Sequence, residues 1–165
     1  MVSVQEYLTT SYEADREYVD GELLERHSGE QPHARAHGTV SFLLFQREAQ
    51  LGIRVLMSQR IQVGPTRFRV PDVCVVLASD PRDPIVHHHP PLLCIEVLCR
   101  EDTVTRFNEK LSDYFQMGVR YVWVIDPLTK QAFCYTPGEM HEVLDGILRT
   151  KDPDIAVPLA EIFEA

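Results

Sequence analysis

The chain has 165 residues, 44% of them hydrophobic, and a net charge of −9 with histidines neutral. That size fits one domain with a packed core, and the acidic balance excludes a general nucleic-acid coat, which is basic. No stretch approaches the ~18 apolar residues of a membrane span, and Met1-Val-Ser-Val-Gln-Glu6 lacks the basic-then-apolar layout of a signal peptide, so a soluble cytoplasmic protein is expected.

Ser3 is placed to cap a short helix through about Ser11, with Val4, Tyr7 and Leu8 on one face. Asp20-Gly21 marks a tight hairpin within Tyr18–Glu25. Pro32 opens a helix of about 18 residues that Gly52 ends; Val40, Leu43, Leu44 and Leu51 form its apolar stripe, with Phe42 and Phe45 beside it. Strands follow near 54–57 and 59–63. Gly64-Pro65-Thr66 turns the chain into a further strand, Phe68–Leu77.

Residues 80–91 carry four prolines and His87-His88-His89, and read as a solvated loop, since adjacent histidines in an extended chain cannot all face one ion. Pro91–Leu98 is a buried strand. Glu101-Asp102-Thr103 caps a helix to about Met117, with Val104, Phe107, Leu111, Tyr114 and Phe115 turned inward, and Gly118 closes it. Arg120–Ile125 is a third buried strand. A hairpin (131–135 and 141–144), a strand at 147–150 and a short helix from Pro158 complete the chain. The strand–helix–strand passage from Pro91 to Ile125 calls for a parallel pair in an α/β domain, and the flanking hairpins make the sheet mixed. With no repeat and no linker, one domain spanning 1–165 is expected. Cys74, Cys94, Cys99 and Cys134 form no CxxC pair and read as structural thiols.

Asp72 and Glu96 are the chemically informative pair. Each lies in or beside an apolar strand, where an ionised carboxylate is costly unless it is paired or bound to a cation. Two carboxylates on neighbouring strands can share one divalent ion, which polarises a phosphate and activates water. Such chemistry also needs a positive group near the reacting phosphate. Lys110, on the following helix at the border of its inward face, can supply it, or can be an ordinary solvated lysine. Glu22, just after the hairpin turn, can join the metal or lie in solvent. His33, in the first turn of the long helix, can touch a phosphate or metal-bound water, or serve as a capping residue; His37 shares its face.

The blocks Tyr18-Val-Asp-Gly-Glu-Leu23, Arg69-Val-Pro-Asp72-Val, Ile95-Glu96-Val-Leu98, Glu109-Lys110-Leu-Ser-Asp-Tyr114, Gly118–Pro127 and Val157–Phe163 cover nearly the whole chain. In this order they resemble the PD-(D/E)XK restriction-endonuclease-like superfamily, and more closely a widespread bacterial branch whose lysine lies on the following helix. The superfamily's usual lysine position, two residues after the glutamate, is Leu98 here. The resemblance implies a mixed β-sheet flanked by helices and a Mg²⁺-dependent endonuclease acting on DNA, with Mn²⁺ as a substitute ion. Asp72 and Glu96 would be the metal ligands and Lys110, Glu22 and His33 the accompanying residues, in a homodimer. The alternative is a nuclease-like DNA-binding or regulatory domain with weak or no catalysis.

Overall fold

The computed structural model describes residues 1–27 and 29–163. Helix α1 (Val4–Thr9) is capped by Ser3, whose Oγ accepts from the Glu6 N–H at 3.1 Å. Strands β1 (Glu17–Val19) and β2 (Glu22–Leu24) form the hairpin. Its turn residues Asp20 and Gly21 both have positive φ, as a two-residue loop between twisted strands requires. Helix α2 (Gln31–Phe45) carries Pro32 in its first turn, and the one-turn α3 (Glu48–Leu51) follows, stopped by Gly52 at φ 65°.

Next come β3 (Ile53–Met57), β4 (Ile61–Gly64), β5 (Arg67–Arg69), β6 (Val73–Leu77) and β7 (Leu93–Val97). Helix α4 (Val104–Met117) leads to β8 (Tyr121–Asp126). The hairpin β9 (Gln131–Thr136)–β10 (Glu139–Glu142), the ribbon β11 (Ile147–Arg149)–β12 (Ala156–Pro158) and helix α5 (Leu159–Phe163) complete the order.

The central sheet has the order β10-β9-β8-β7-β6-β3, with β7 and β8 parallel and the other pairs antiparallel. A second, antiparallel sheet has the order β2-β1-β5-β4. The expected mixed sheet flanked by helices is the observed architecture. Side chains of β7 alternate: Leu93, Ile95 and Val97 join the core that includes Val40 and Leu44 of α2, while Cys94 joins Leu111 and Tyr114 of α4. This period of two places both faces of the strand against helices. Each fully buried Val, Ile or Leu there contributes about 1.5–3 kcal/mol of burial free energy.

Several elements depart from the expectation. Phe68–Leu77 is not one strand: β5 and β6 lie in different sheets, joined by Val70-Pro71-Asp72. Pro71 has no N–H to give a ladder, and the Val70 N–H goes to Glu17 Oε1 at 3.0 Å. The long helix stops at Phe45, and Phe42 is 59% exposed. Val104 is exposed rather than turned inward. The loop at 80–91 is solvated at His88 and His89, but His87 is buried, its backbone bridging to Ile61.

Cys74, Cys94 and Cys134 are buried free thiols and Cys99 is partly buried, as structural cysteines would be. Among the described residues, no helix is long and apolar enough to cross a membrane.

Candidate metal and phosphate site

The break at Pro71 sets Asp72 at the head of β6. Val73 pairs with Ile95 across the antiparallel β6–β7 ladder. Continuing that register sets Asp72 opposite Glu96. Ile95 and Val97 enter the α2 core, so Glu96 between them turns to α4, where Lys110 and Tyr114 meet it; Asp72, just before β6, accepts from the neighbouring Val97 N–H. Both are nearly buried, at 6% and 7% exposure. They border one cavity of ≈ 60 Å³, with Glu17, Arg26, Arg69, Leu98, Arg106 and Lys110 among its walls.

Helix α4 delivers the ammonium. Thr103 caps it, its Oγ1 accepting from the Arg106 N–H, and Leu111 and Tyr114 pack on the sheet. That rotation sends Lys110, whose side chain is 18% exposed, back toward the carboxylates. Its Nζ lies 3.3 Å from Glu96 Oε2 and 2.9 Å from Glu17 Oε1. Tyr114 donates its hydroxyl to the other oxygen of Glu96. Glu17 is fixed in turn by Arg69 Nη1 at 3.0 Å, and Arg69 Nε donates to Asp113 at 2.7 Å. The result is a buried chain of alternating charge, Asp113–Arg69–Glu17–Lys110–Glu96.

Asp72 is held separately. Its Oδ2 accepts from the Val97 N–H at 2.8 Å, and its Oδ1 from Arg26 Nη2 at 3.2 Å. His33 Nε2 stands 3.4 Å from Oδ2, an ion-pair distance without hydrogen-bond alignment, so this buried nitrogen has no proper partner among the described residues.

The environment drives the two carboxyls apart. Burial pushes Glu96 up to about 7; Lys110 pulls it down, and the negative charges of Asp72 and Glu17 add to the rise. Burial works in the same direction on Asp72, but the contact with His33 and the Val97 N–H prevail and hold it below the usual carboxylate range. Glu17 is likewise held low: burial opposes ionisation, but Lys110 and Arg69 outweigh it. Burial alone would discharge Lys110, yet Glu17 and Glu96 keep its pKa above that of a free lysine. Contact with Asp72 raises His33 against the effect of its burial. A divided pair of carboxyls beside a permanent cation is the electrostatic pattern of a functional site.

The structure thus brings Asp72, Glu96, Lys110 and His33 together, but not Glu22. Glu22 is exposed on β2 and does not line the cavity. Its place is taken by Glu17 on β1, across the same hairpin. Strand β1 pairs with β5 and carries Glu17 inward beside Arg69, whereas β2 is the edge of its sheet. The sequence signal for Glu17 was the one that marked Asp72, a carboxylate next to strand-forming residues. Arg26, Asp113 and Tyr114 carry no local sequence signal of a place in the site, because nothing near them in the chain distinguishes them from ordinary polar side chains.

A divalent ion suits the donor set. Asp72 and Glu96 offer hard oxygens at one buried cavity, and the charge of Asp72 adds to the rise of Glu96, a repulsion that a shared cation would relieve. Among the described residues, no three of His, Cys, Asp and Glu are grouped to hold a metal. Two carboxylates completed by water is the arrangement Mg²⁺ accepts, unlike the closed protein cage of a structural zinc.

Comparison with known proteins agrees with this architecture. The chain superposes on a putative nuclease belonging to DUF820 from Anabaena variabilis ATCC 29413 with a TM-score of 0.84, at 19% identity, covering 99% of this chain and 98% of that one. No curated protein matches the sequence. Residues 4–159 match the Uma2 family model, described as putative restriction endonuclease, and the chain belongs to that family.

Proposed function

We propose that the protein is a divalent-metal-dependent endonuclease that hydrolyses phosphodiester bonds in DNA. The observation that carries this reading is the single cavity bordered by Asp72 and Glu96, with Lys110 Nζ 3.3 Å from Glu96. Asp72 and Glu96 would hold Mg²⁺, or Mn²⁺ in its place; when bound, the ion polarises a phosphate oxygen and lowers the pKa of water.

The remaining work belongs to the chain's own side chains. Lys110 provides the positive charge that stabilises the phosphate as it gains negative charge. Glu17 and Arg69 fix where that ammonium stands, so the position two residues after Glu96 is free to be Leu98. His33 and the Val97 N–H hold Asp72 ionised and oriented. A homodimer would let each subunit cut one strand, with the hairpins at 131–150 as its surface.

The test is plasmid nicking by the purified protein with Mg²⁺ or Mn²⁺. Nicking that Asp72→Ala abolishes supports the proposal. Metal uptake without nicking on any DNA substrate assigns a DNA-binding module instead.

A further inference from the structure

Arg26 is the loosely held cation of the site. Arg69 is fixed by two carboxylates, and Arg67 bonds Asp113, Glu109 and Asp20. Among the described residues, the guanidinium of Arg26 has one hydrogen bond, to Asp72 Oδ1 at 3.2 Å. That is long for a charge-assisted bond, which usually spans about 2.7–2.9 Å. Arg26 lies outside regular structure, between β2 and α2, and forms part of the cavity wall. Arg106 ties its neighbours to α4, donating to the Glu25 carbonyl and contacting the His27 ring.

The two oxygens of Asp72 therefore differ. Oδ2 is fixed by a backbone N–H, whereas Oδ1 has only a side chain that can rotate away. Oδ1 is thus the oxygen that Asp72 could offer to a divalent ion, and the guanidinium of Arg26 would be repelled from it by a second positive charge there. The released group keeps its charge, is planar and forked, and stands at the wall of the same cavity. The ligand that matches it is a phosphate oxygen.

Resting on the nuclease reading, we propose that Arg26 is an exchangeable counter-ion: it neutralises Asp72 while no metal is bound, and moves to a phosphate of the DNA when the metal takes Asp72. Arg26 is thereby a substrate-positioning residue whose contribution to DNA binding exists only in the presence of the ion.

The experiment compares wild type, Arg26→Gln and Arg26→Lys. Mn²⁺ binding is measured by calorimetry. Binding of a short DNA duplex is measured with EDTA and with Ca²⁺, the duplex being checked as intact. Arg26→Gln is expected to bind Mn²⁺ about tenfold tighter, because a competing charge is gone. It should bind the duplex several-fold more weakly in Ca²⁺ and equally well in EDTA. Arg26→Lys retains a charge and should fall between the two. Unchanged or weaker Mn²⁺ binding in Arg26→Gln overturns the exchange, as does an equal loss of DNA affinity with and without the ion. If wild type takes up no Mn²⁺, the nuclease reading fails and Arg26 with it. If wild type takes up Mn²⁺ and nicks DNA while Arg26→Gln titrates like wild type, only the Arg26 assignment fails.

Discussion

Replacing Lys110 by Met keeps the length of the side chain and removes the ammonium from between two buried carboxylates. Leaving an uncompensated buried charge costs about 3–5 kcal/mol, but two features reduce the penalty here. Glu17 retains Arg69 and the Val70 N–H, and Glu96 retains Tyr114 and can take up a proton. The expected loss is therefore about 1–3 kcal/mol in metal-free buffer at pH 8.5. It should shrink at pH 5.5, and the sign follows from Glu96. Its folded pKa, about 7, already lies above the 4.5 of a free glutamate. Its contribution to stability is full below the unfolded value and is lost as pH rises through the folded one. Without Lys110 the folded pKa climbs further, so the loss at alkaline pH grows. Urea unfolding at the two pH values measures both effects, and Glu96→Gln combined with Lys110→Met should recover most of the deficit. Equal stability of Lys110→Met and wild type at pH 8.5, or no recovery in the double variant, would refute this ion-pair chain. In nicking assays the same substitution should cost about 10²–10³-fold in rate, the scale of removing one electrostatic group aimed at developing charge.

Three further outcomes are expected. Glu17→Gln should lower nicking activity by about tenfold or more, since it frees Lys110 from its anchor, while Glu22→Ala, on the exposed edge, should match wild type; the reverse ranking would restore Glu22 to the site. Mn²⁺ affinity should rise about fivefold between pH 6 and pH 7 and little above pH 8, because a proton must leave Glu96 before it can ligate; a calorimetric titration flat across that range contradicts the burial of Glu96. Thr103→Ala should destabilise the protein by about 1 kcal/mol in thermal or urea unfolding through loss of the α4 cap.

Much of this site was legible before the fold was known, for a physical reason. A carboxylate among β-branched residues is improbable unless something pairs with it, so Asp72 and Glu96 stand out, and strand alternation then assigns the face of Glu96. The Thr103 cap and the Gly118 stop give the length of α4, and its apolar spacing places Lys110 at the edge of the inward face. The supporting residues were not legible in the same way. Choosing between Glu17 and Glu22 requires knowing which strand of the hairpin is the sheet edge, and that is decided by the long-range pairing of β1 with β5. Arg26 reaches Asp72 across 46 positions of sequence, and Asp113 acquires its role only because β5 presents Arg67 and Arg69 to α4. The break between β5 and β6 was signalled by Pro71, yet the apolar residues on both sides read as one continuous strand.

Crystals soaked in Mn²⁺ provide the most direct measurement, through anomalous scattering at the cavity between β6, β7 and α4. A single Mn²⁺ peak in contact with both Asp72 and Glu96, with Lys110 still beside Glu17, is the result expected. A soak that leaves this position without anomalous density, with Arg26 and Lys110 still bonded to the two carboxylates, would contradict a shared metal site and the nuclease chemistry built on it.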